Sequence, residues 1–448
     1  MKKQYLYAII CSAFALMSCG KEFLDIKRQA HQVVPVYIRD YANLLNHYTI
    51  TNARNATELA FIGSDEYTVS DVRFNALSQA YQRNAYIWKE DVFEGGESMD
   101  WNWGYERILY ANLALDVEKI EPKADELAQW NYVRGAARFL RSLTFFQLSL
   151  LFAPEYQSES AATTDGIPLR LDYDVQVRVG ISRLEEVYQR IIEDLETAAE
   201  LLPDKVDNVY QPSKQAVYAL LARVYLQKGE YAQSDKYAER ALSIDDTLID
   251  FRKLDKGLTQ SFTSYGRDVA EVIYYQFNTS TIINASRLNI HPQLLDKYES
   301  NDLRKAIYFR TESDGRVVFK GSYSGGSQGY FSGLAIDELY LIRAECLTRM
   351  NHLEQALYWL NILLENRYDN SFVPLVIDNR EMLLARVLEE REKELCLRSI
   401  RWNDMRRLNK EKEFARTYYR QVNGTTYQLT PDSPRWVWPI PDNEKDHL

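Results

Sequence analysis

The sequence predicts a mostly α-helical protein assembled from antiparallel helical hairpins, with loop-rich insertions that carry the binding chemistry. Three observations lead there. Residues 213–228 place Val217, Leu220, Leu221, Val224 and Tyr225 at the spacing of one helix face, with Ser213 as N-cap after Pro212 and Gly229 as the stop. Directly after that glycine, Tyr237, Ala238, Ala241 and Leu242 mark a second helix, so the two must fold back on each other; the pattern returns from Ile336 to Leu364 around a turn at Asn351-His352. Over residues 49–100 and 247–333 the helical period is lost and polar, aromatic-rich sequence replaces it. One hairpin cannot bury its own apolar face, so repeated hairpins predict a stacked array.

The offsets of Tyr218, Leu221, Ala222, Tyr225, Gly229, Tyr231, Ala238 and Ala241 resemble a tetratricopeptide (TPR) unit, and Tyr340, Ala344 and Ala356 repeat those of Tyr218, Ala222 and Ser234. TPR-like hairpins are therefore expected over about residues 124–245 and 335–410, forming a right-handed helical scaffold, an α–α superhelix, with a loop-rich ligand-binding region grown from the two insertions.

Taken in order, the chain opens with Lys2 and Lys3, an apolar run over residues 5–17, and Leu16-Met17-Ser18-Cys19, which has the form of a lipobox. The expectation is a lipoprotein signal peptide over 1–18, lipidation at Cys19 and a single domain over 19–448. The apolar run is too short to remain as a membrane span. A first helix is expected around residues 40–45, then the loop-rich stretch with Tyr67, Phe74, Tyr81, Tyr86 and Trp88. Helical period resumes at Trp101 and strengthens from about residue 124 to 152, where Pro154 ends it. An extended connector at 165–169 leads to an amphipathic helix over 183–202, stopped by Pro203. Short β-like runs at 271–277 and 316–320 punctuate the second insertion. Residues 380–408 read as one long charged helix whose Glu389/Lys393 and Glu394/Arg398 pairs face solvent. Trp101, Tyr105, Trp436 and Trp438 are expected to pack in the core.

Composition excludes several functions. A net charge of −10 over 448 residues disfavours nucleic acid. The five histidines are scattered, with no His-Glu-x-x-His or Cys-x-x-Cys, so neither a metal site nor a cofactor is expected. Gly325-Gly326-Ser327-Gln328-Gly329 matches the nucleophile-elbow pattern, but it lies in a long loop rather than between strand and helix, so no enzyme is expected. Cys346 and Cys396 sit in helical patterns and are expected to be buried free thiols.

The chain resembles the SusD/RagB family of outer-membrane nutrient-binding lipoproteins of Bacteroidetes-type bacteria. The residues that carry the resemblance include Cys19 with Phe23-Leu24-Asp25, Trp101, Tyr105 and Asn112, the stretch Gly135 to Ser142, and Gly166-Ile167-Pro168-Leu169. They continue through Glu338, Tyr340, Arg343 and Glu345, then Glu390, Arg391, Glu394, Arg401, Trp402 and Asp404, and end with Trp438-Pro439-Ile440-Pro441. Arg398-Ser399 departs from the Glu-Gly that the family often carries there. The resemblance implies a lipid-anchored outer-membrane protein at the cell surface that hands an oligosaccharide to a SusC-like TonB-dependent transporter. An oligopeptide cargo is the first alternative; a surface glycoside hydrolase or esterase and a pure TPR scaffold are the others. From the residues, cargo contacts are expected at Arg73, Tyr81 and Trp88 in the first loop-rich segment and at Phe262, Tyr265, Asn278 and Tyr323 in the second, because flat rings beside oriented polar groups suit sugars.

Overall fold

The structure is a computed structural model that describes residues 35–262, 269–278, 287–325 and 329–445. Its longer helices are α1 (Ile38–Leu45), α2 (Met99–Leu115), α3 (Leu127–Phe152), α4 (Leu184–Leu201), α5 (Lys214–Lys228), α6 (Tyr231–Ile244), α7 (Ile336–Arg349), α8 (Leu353–Glu365), α9 (Arg380–Glu394) and α10 (Arg401–Leu408). Each packs on its sequence neighbour in the series α2–α3–α4 and in the pairs α5–α6 and α7–α8, while α6 packs on α7 and α7 on α9, so one helical array runs through both hairpin regions. The mostly α-helical class expected from the sequence is the observed one.

Helix α5 begins where Ser213 Oγ accepts the Ala216 N–H at 3.2 Å and ends where Gly229 takes a left-handed φ of 75°. Ala222, Ala238 and Ala241 are fully buried in the α5–α6 seam, where Ser234 Oγ donates to the Ala222 carbonyl at 2.7 Å. Small side chains there let the backbones close up enough for that hydrogen bond. Gly63 serves a similar purpose at the other end of the chain: a Cβ on it would lie 2.5 Å from the Trp402 ring, which stacks on Trp438 at 4.9 Å. Trp101, Trp436 and Trp438 are buried as expected, and Cys346 and Cys396 are buried free thiols.

Among the described residues, strands occur only as two-stranded antiparallel ladders. Two matter below: Tyr67–Val69 with Leu288–Ile290, and Tyr418–Val422 with Thr425–Leu429. The first joins the two loop-rich insertions, and an Arg73–Asp314 ion pair of 3.0 Å joins them again at the surface.

The region 380–408 differs from its expectation. It is not one solvated helix. It breaks after Glu394, passes through left-handed Leu397 (φ 58°) and Ser399 (φ 60°), and restarts as α10. Ser399 thus holds a conformation that glycine adopts freely and other residues adopt at a cost. Nor do the two expected pairs form: along the helix Glu389 meets Arg386 at 3.3 Å and Arg386 meets Glu390 at 2.6 Å. Glu390, Lys393 and Glu394 are fully buried: Arg304 binds Asp302 at 2.7 Å, Glu390 at 2.6 Å and Glu394 at 3.0 Å, Arg367 binds Glu394 at 2.7 Å and Glu271 at 2.8 Å, and Lys393 reaches Glu299, Asp302 and Glu390. Arg398 pairs with Asp337 at 2.6 Å instead of Glu394. The i,i+4 rule applies to an isolated helix; here partners distant in sequence supply stronger, multidentate contacts.

Removing one member of such a network strands the others without compensation. Arg304→Met is expected to lower the unfolding free energy by about 3–5 kcal/mol in urea titration. A loss below about 1 kcal/mol would show that Asp302, Glu390 and Glu394 do not depend on it.

Candidate functional site

The two insertions and the C-terminal hairpin converge on a groove of about 610 Å³. Its first wall is the Tyr67–Val69 ladder. Alternation along that strand turns Tyr67 and Val69 inward and leaves Thr68 facing the groove. The paired strand Leu288–Ile290 runs into His291, whose backbone N–H donates to the Glu66 carbonyl at 2.9 Å and whose Nδ1 accepts from Gln293 N at 3.2 Å. Lys297 follows on the same stretch and pairs with Glu392 of α9 at 2.7 Å.

The opposite wall is the hairpin Tyr418–Val422/Thr425–Leu429, closed by Asn423 (φ 50°) and Gly424 (φ 76°), the residue pair a tight two-residue turn requires. Tyr418, Arg420 and Val422 point inward, while Tyr419 and Gln421 point out. Tyr419 is 62% exposed and presents a flat ring at the groove, with Gln421 and Thr426 beside it.

Beneath lies Arg420, almost fully buried, with its guanidinium carbon 4.0 Å from the centre of the Tyr86 ring and 4.4 Å from that of Trp88. It donates to the backbone carbonyls of Ile62 at 3.0 Å, Ser64 and Tyr86. Burial lowers its pKa. Asp65 and Glu66 divide the labour of the adjoining turn. Asp65 faces the groove, where Arg401 binds it at 2.7 and 2.9 Å and Arg416 at 2.9 Å. Burial alone raises its carboxyl, but Arg401 and then Arg416 outweigh burial and hold it well below the ordinary range. Glu66 points inward, accepts from Leu397 N at 2.7 Å and from Ser64 Oγ at 3.0 Å, and is pushed up to about 8 by burial. Burial also lowers the His291 pKa.

The residues expected from sequence to meet cargo are placed differently. Trp88 is only 1% exposed, with Nε1 donating to the Gly63 carbonyl at 3.0 Å; it supports the floor of the groove and offers no open stacking face. Phe262 and Tyr323 pack against each other in the core at 4.7 Å, and the Tyr323 hydroxyl sits between Glu271 and Asp337. Asn278 is buried and donates to Thr57 Oγ1 at 3.1 Å. These three are structural because the second insertion folds inward onto the helical array. Tyr81 is half-buried, its hydroxyl donating to Glu58 at 3.0 Å, and Arg73 is held by Asp314 outside the groove. Tyr265, Ser327 and Cys19 lie outside the described residues. The groove residues that were missed are Lys297, Arg416, Tyr419 and Gln421. Asn423-Gly424 between two alternating runs was the available signal for the last two.

Two other features are less suited to cargo. A recess of about 550 Å³ beside Tyr48 and Tyr210 has its central amide engaged, since Asn52 donates to the Tyr210 and Tyr275 carbonyls. The carboxylates of Glu271, Asp337 and Glu394 converge in the core, but Arg367, Arg398 and Arg304 already occupy their oxygens.

Among the described residues no helix is long and apolar enough to cross a membrane. Residues 186–447 match the family described as the SusD family, and residues 22–226 match the family described as starch-binding associating with outer membrane. SusD-like protein P2 of Formosa agariphila is 24% identical over 381 residues, which cover 70% of this chain and 72% of that protein. Among solved structures, a SusD superfamily protein of Bacteroides thetaiotaomicron superposes with a TM-score of 0.74 at 18% identity, covering 92% of this chain and 98% of its own. A SusD-like carbohydrate-binding protein of Bacteroides vulgatus gives 0.68 at 18% identity, over 92% and 96%. At these identities the likeness is one of fold.

The raised Glu66 carboxyl has a measurable consequence. A folded-state pKa of about 8 against an ordinary 4.5 means that the folded protein holds this proton more tightly than the unfolded chain. The resulting stability is full below about pH 4.5 and is lost as pH rises through about 8. Glu66→Gln keeps an acceptor for Leu397 N without the titration. Its unfolding free energy should fall less steeply than wild type between about pH 5 and pH 9 in chemical denaturation. Parallel profiles for the two proteins would contradict the assignment.

Proposed function

Because the chain belongs to the SusD family, we propose that it is a lipid-anchored outer-membrane protein that captures an oligosaccharide and delivers it to a TonB-dependent transporter. The observation that carries the binding half is the groove itself. It combines an exposed Tyr419 ring with the amides of Gln293 and Gln421, the hydroxyls of Thr68 and Thr426, and charged groups on a rigid base. Sugars offer an apolar C–H face to such a ring and hydroxyls to such a rim. The partner families support the same reading in their own terms: one is described as starch-binding and outer-membrane associated, and a structural neighbour as carbohydrate binding. The anchoring half rests on Leu16-Met17-Ser18-Cys19. Delivery to the transporter rests on family membership, with the stacked helices offering a broad docking face. The protein acts by binding, not by catalysis: the groove's two carboxylates, Asp65 and Glu392, are each held by arginine and poorly placed to serve as acid and base.

Two experiments test the halves separately. Calorimetry of the mature protein against glycan and peptide panels should find glycan binding, and Tyr419→Ala should cost about 1–3 kcal/mol of affinity, by analogy with stacking of bases on aromatic rings, at an unchanged melting temperature. Capture of peptides and no glycan would replace the cargo. Cys19→Ala should move the protein from the membrane fraction to the soluble fraction and abolish palmitate labelling; a variant that still pellets with outer membranes would refute the anchor.

A further inference from the structure

The groove's charges do not balance. Three cations, Lys297, Arg401 and Arg416, surround the carboxylates of Asp65 and Glu392, and a fourth, Arg420, lies under the floor. Arg401 is fully engaged: Nε and Nη2 bind Asp65, and Nη1 binds Glu392 at 3.2 Å. The other two rim cations are not. Lys297 gives Glu392 one contact from an ammonium with three donors, and its side chain is 23% exposed. Arg416 reaches Asp65 through Nη2, lies over the Tyr418 ring at 4.8 Å and is 47% exposed. Arg420 has only carbonyl partners, and among the described residues no carboxylate lies within ion-pair distance of it. The remaining polar groups add further donors. His291 accepts through Nδ1, which leaves Nε2 as its donor nitrogen, and Gln293 and Gln421 add amides that both donate and accept. The acceptors of Asp65 are occupied by Arg401 and Arg416. The groove is therefore rich in unengaged donors and positive charge, on a chain whose net charge is −10. A chain this acidic repels anions at long range, so a local cationic excess in a recess is matched to an anion that must be held there.

We infer that the groove takes an anionic oligosaccharide, one whose sugars carry carboxylate or sulfate groups, with Lys297 and Arg416 as the residues that read the charge. This deepens, and rests on, the glycan-binding reading of the same groove. A ring of the sugar chain lies on Tyr419, and its anionic substituent is received by Lys297 Nζ and the exposed guanidinium edge of Arg416. Such charge-assisted hydrogen bonds are about twice as strong as neutral ones and distinguish a uronate or a sulfated sugar from its neutral counterpart.

The test is calorimetry at two salt concentrations with three probes of equal length: tetragalacturonate, a sulfated galactotetraose and unmodified galactotetraose. At least one charged probe should bind about tenfold or more tighter than the neutral one, and the difference should shrink at the higher salt. Preference for the first or second probe identifies carboxylate or sulfate as the group read. Lys297→Gln and Arg416→Gln should each remove most of that preference, bringing the affinity for the charged probe down about tenfold, toward that for the neutral one. Equal binding of neutral and charged probes, or equal loss of both in the variants, overturns charge selection and leaves glycan binding standing. No binding by any of the three, together with a blank glycan panel, overturns the glycan reading itself.

Discussion

The buried ion network on α9 is the constraint on which the rest of the molecule depends. Arg304 fixes Glu390 and Glu394, Arg367 fixes Glu394, and Lys393 ties the helix to Glu299 and Asp302. Apart from half-exposed Glu299 these charges have no exposed surface, so their desolvation is tolerable only in the arrangement that satisfies all of them at once. That requirement sets the rotation of α9, and the rotation decides what emerges on its other face. Glu392, between buried neighbours, points to the groove and meets Lys297 and Arg401. Three residues beyond the helix, Leu397 N reaches Glu66, and Arg401 at the start of α10 reaches Asp65. A second buried set, in which Arg391 binds Asp404 and Glu338 and Arg407 binds Asp404 and Glu345, clamps α9 and α10 to α7. The groove is thus positioned by polar contacts in the core as much as by the helical array.

What could be read from the sequence divides along the range of the forces involved. Helix α5 was legible to the residue because its start and stop are local: a serine side chain three residues from its partner amide, and a glycine free to take positive φ. The hairpin repeat was legible because small residues recur at the offsets where two backbones touch. Helix α9 was misread for the opposite reason. Its charges form good i,i+4 pairs on paper, but Arg367 lies 27 residues from Glu394, and Arg304 lies 90 from Glu394 and 86 from Glu390. No local rule sees such partners arrive.

The candidate site was legible only in outline. That the two insertions meet is visible in the fold as the Tyr67–Val69 ladder with Leu288–Ile290, and both had been singled out by their loss of helical period. The particular rings were not, because aromatic density does not say which face is wet. Trp88, Phe262 and Tyr323 fill the interior that the insertions create for themselves, and the open ring is Tyr419, in a separate hairpin that forms the groove's other wall. Four separated segments supply the lining, so a site of this kind exists only after folding.

The stacking of Arg420 between Tyr86 and Trp88 explains how an almost wholly buried cation persists without a carboxylate. Its guanidinium faces two π-systems and hydrogen-bonds three carbonyls, so its charge is spread over aromatic quadrupoles and peptide dipoles rather than cancelled by a counter-charge. These contacts offset part of the burial that lowers its pKa, beneath the groove that Tyr419 and Arg416 border. The same contacts hold Arg420 in one position before any ligand arrives, so binding an anion above it requires little further ordering of the floor. The buried charge below contacts no cargo itself, yet the fold sets its place beneath Lys297 and Arg416 at the rim.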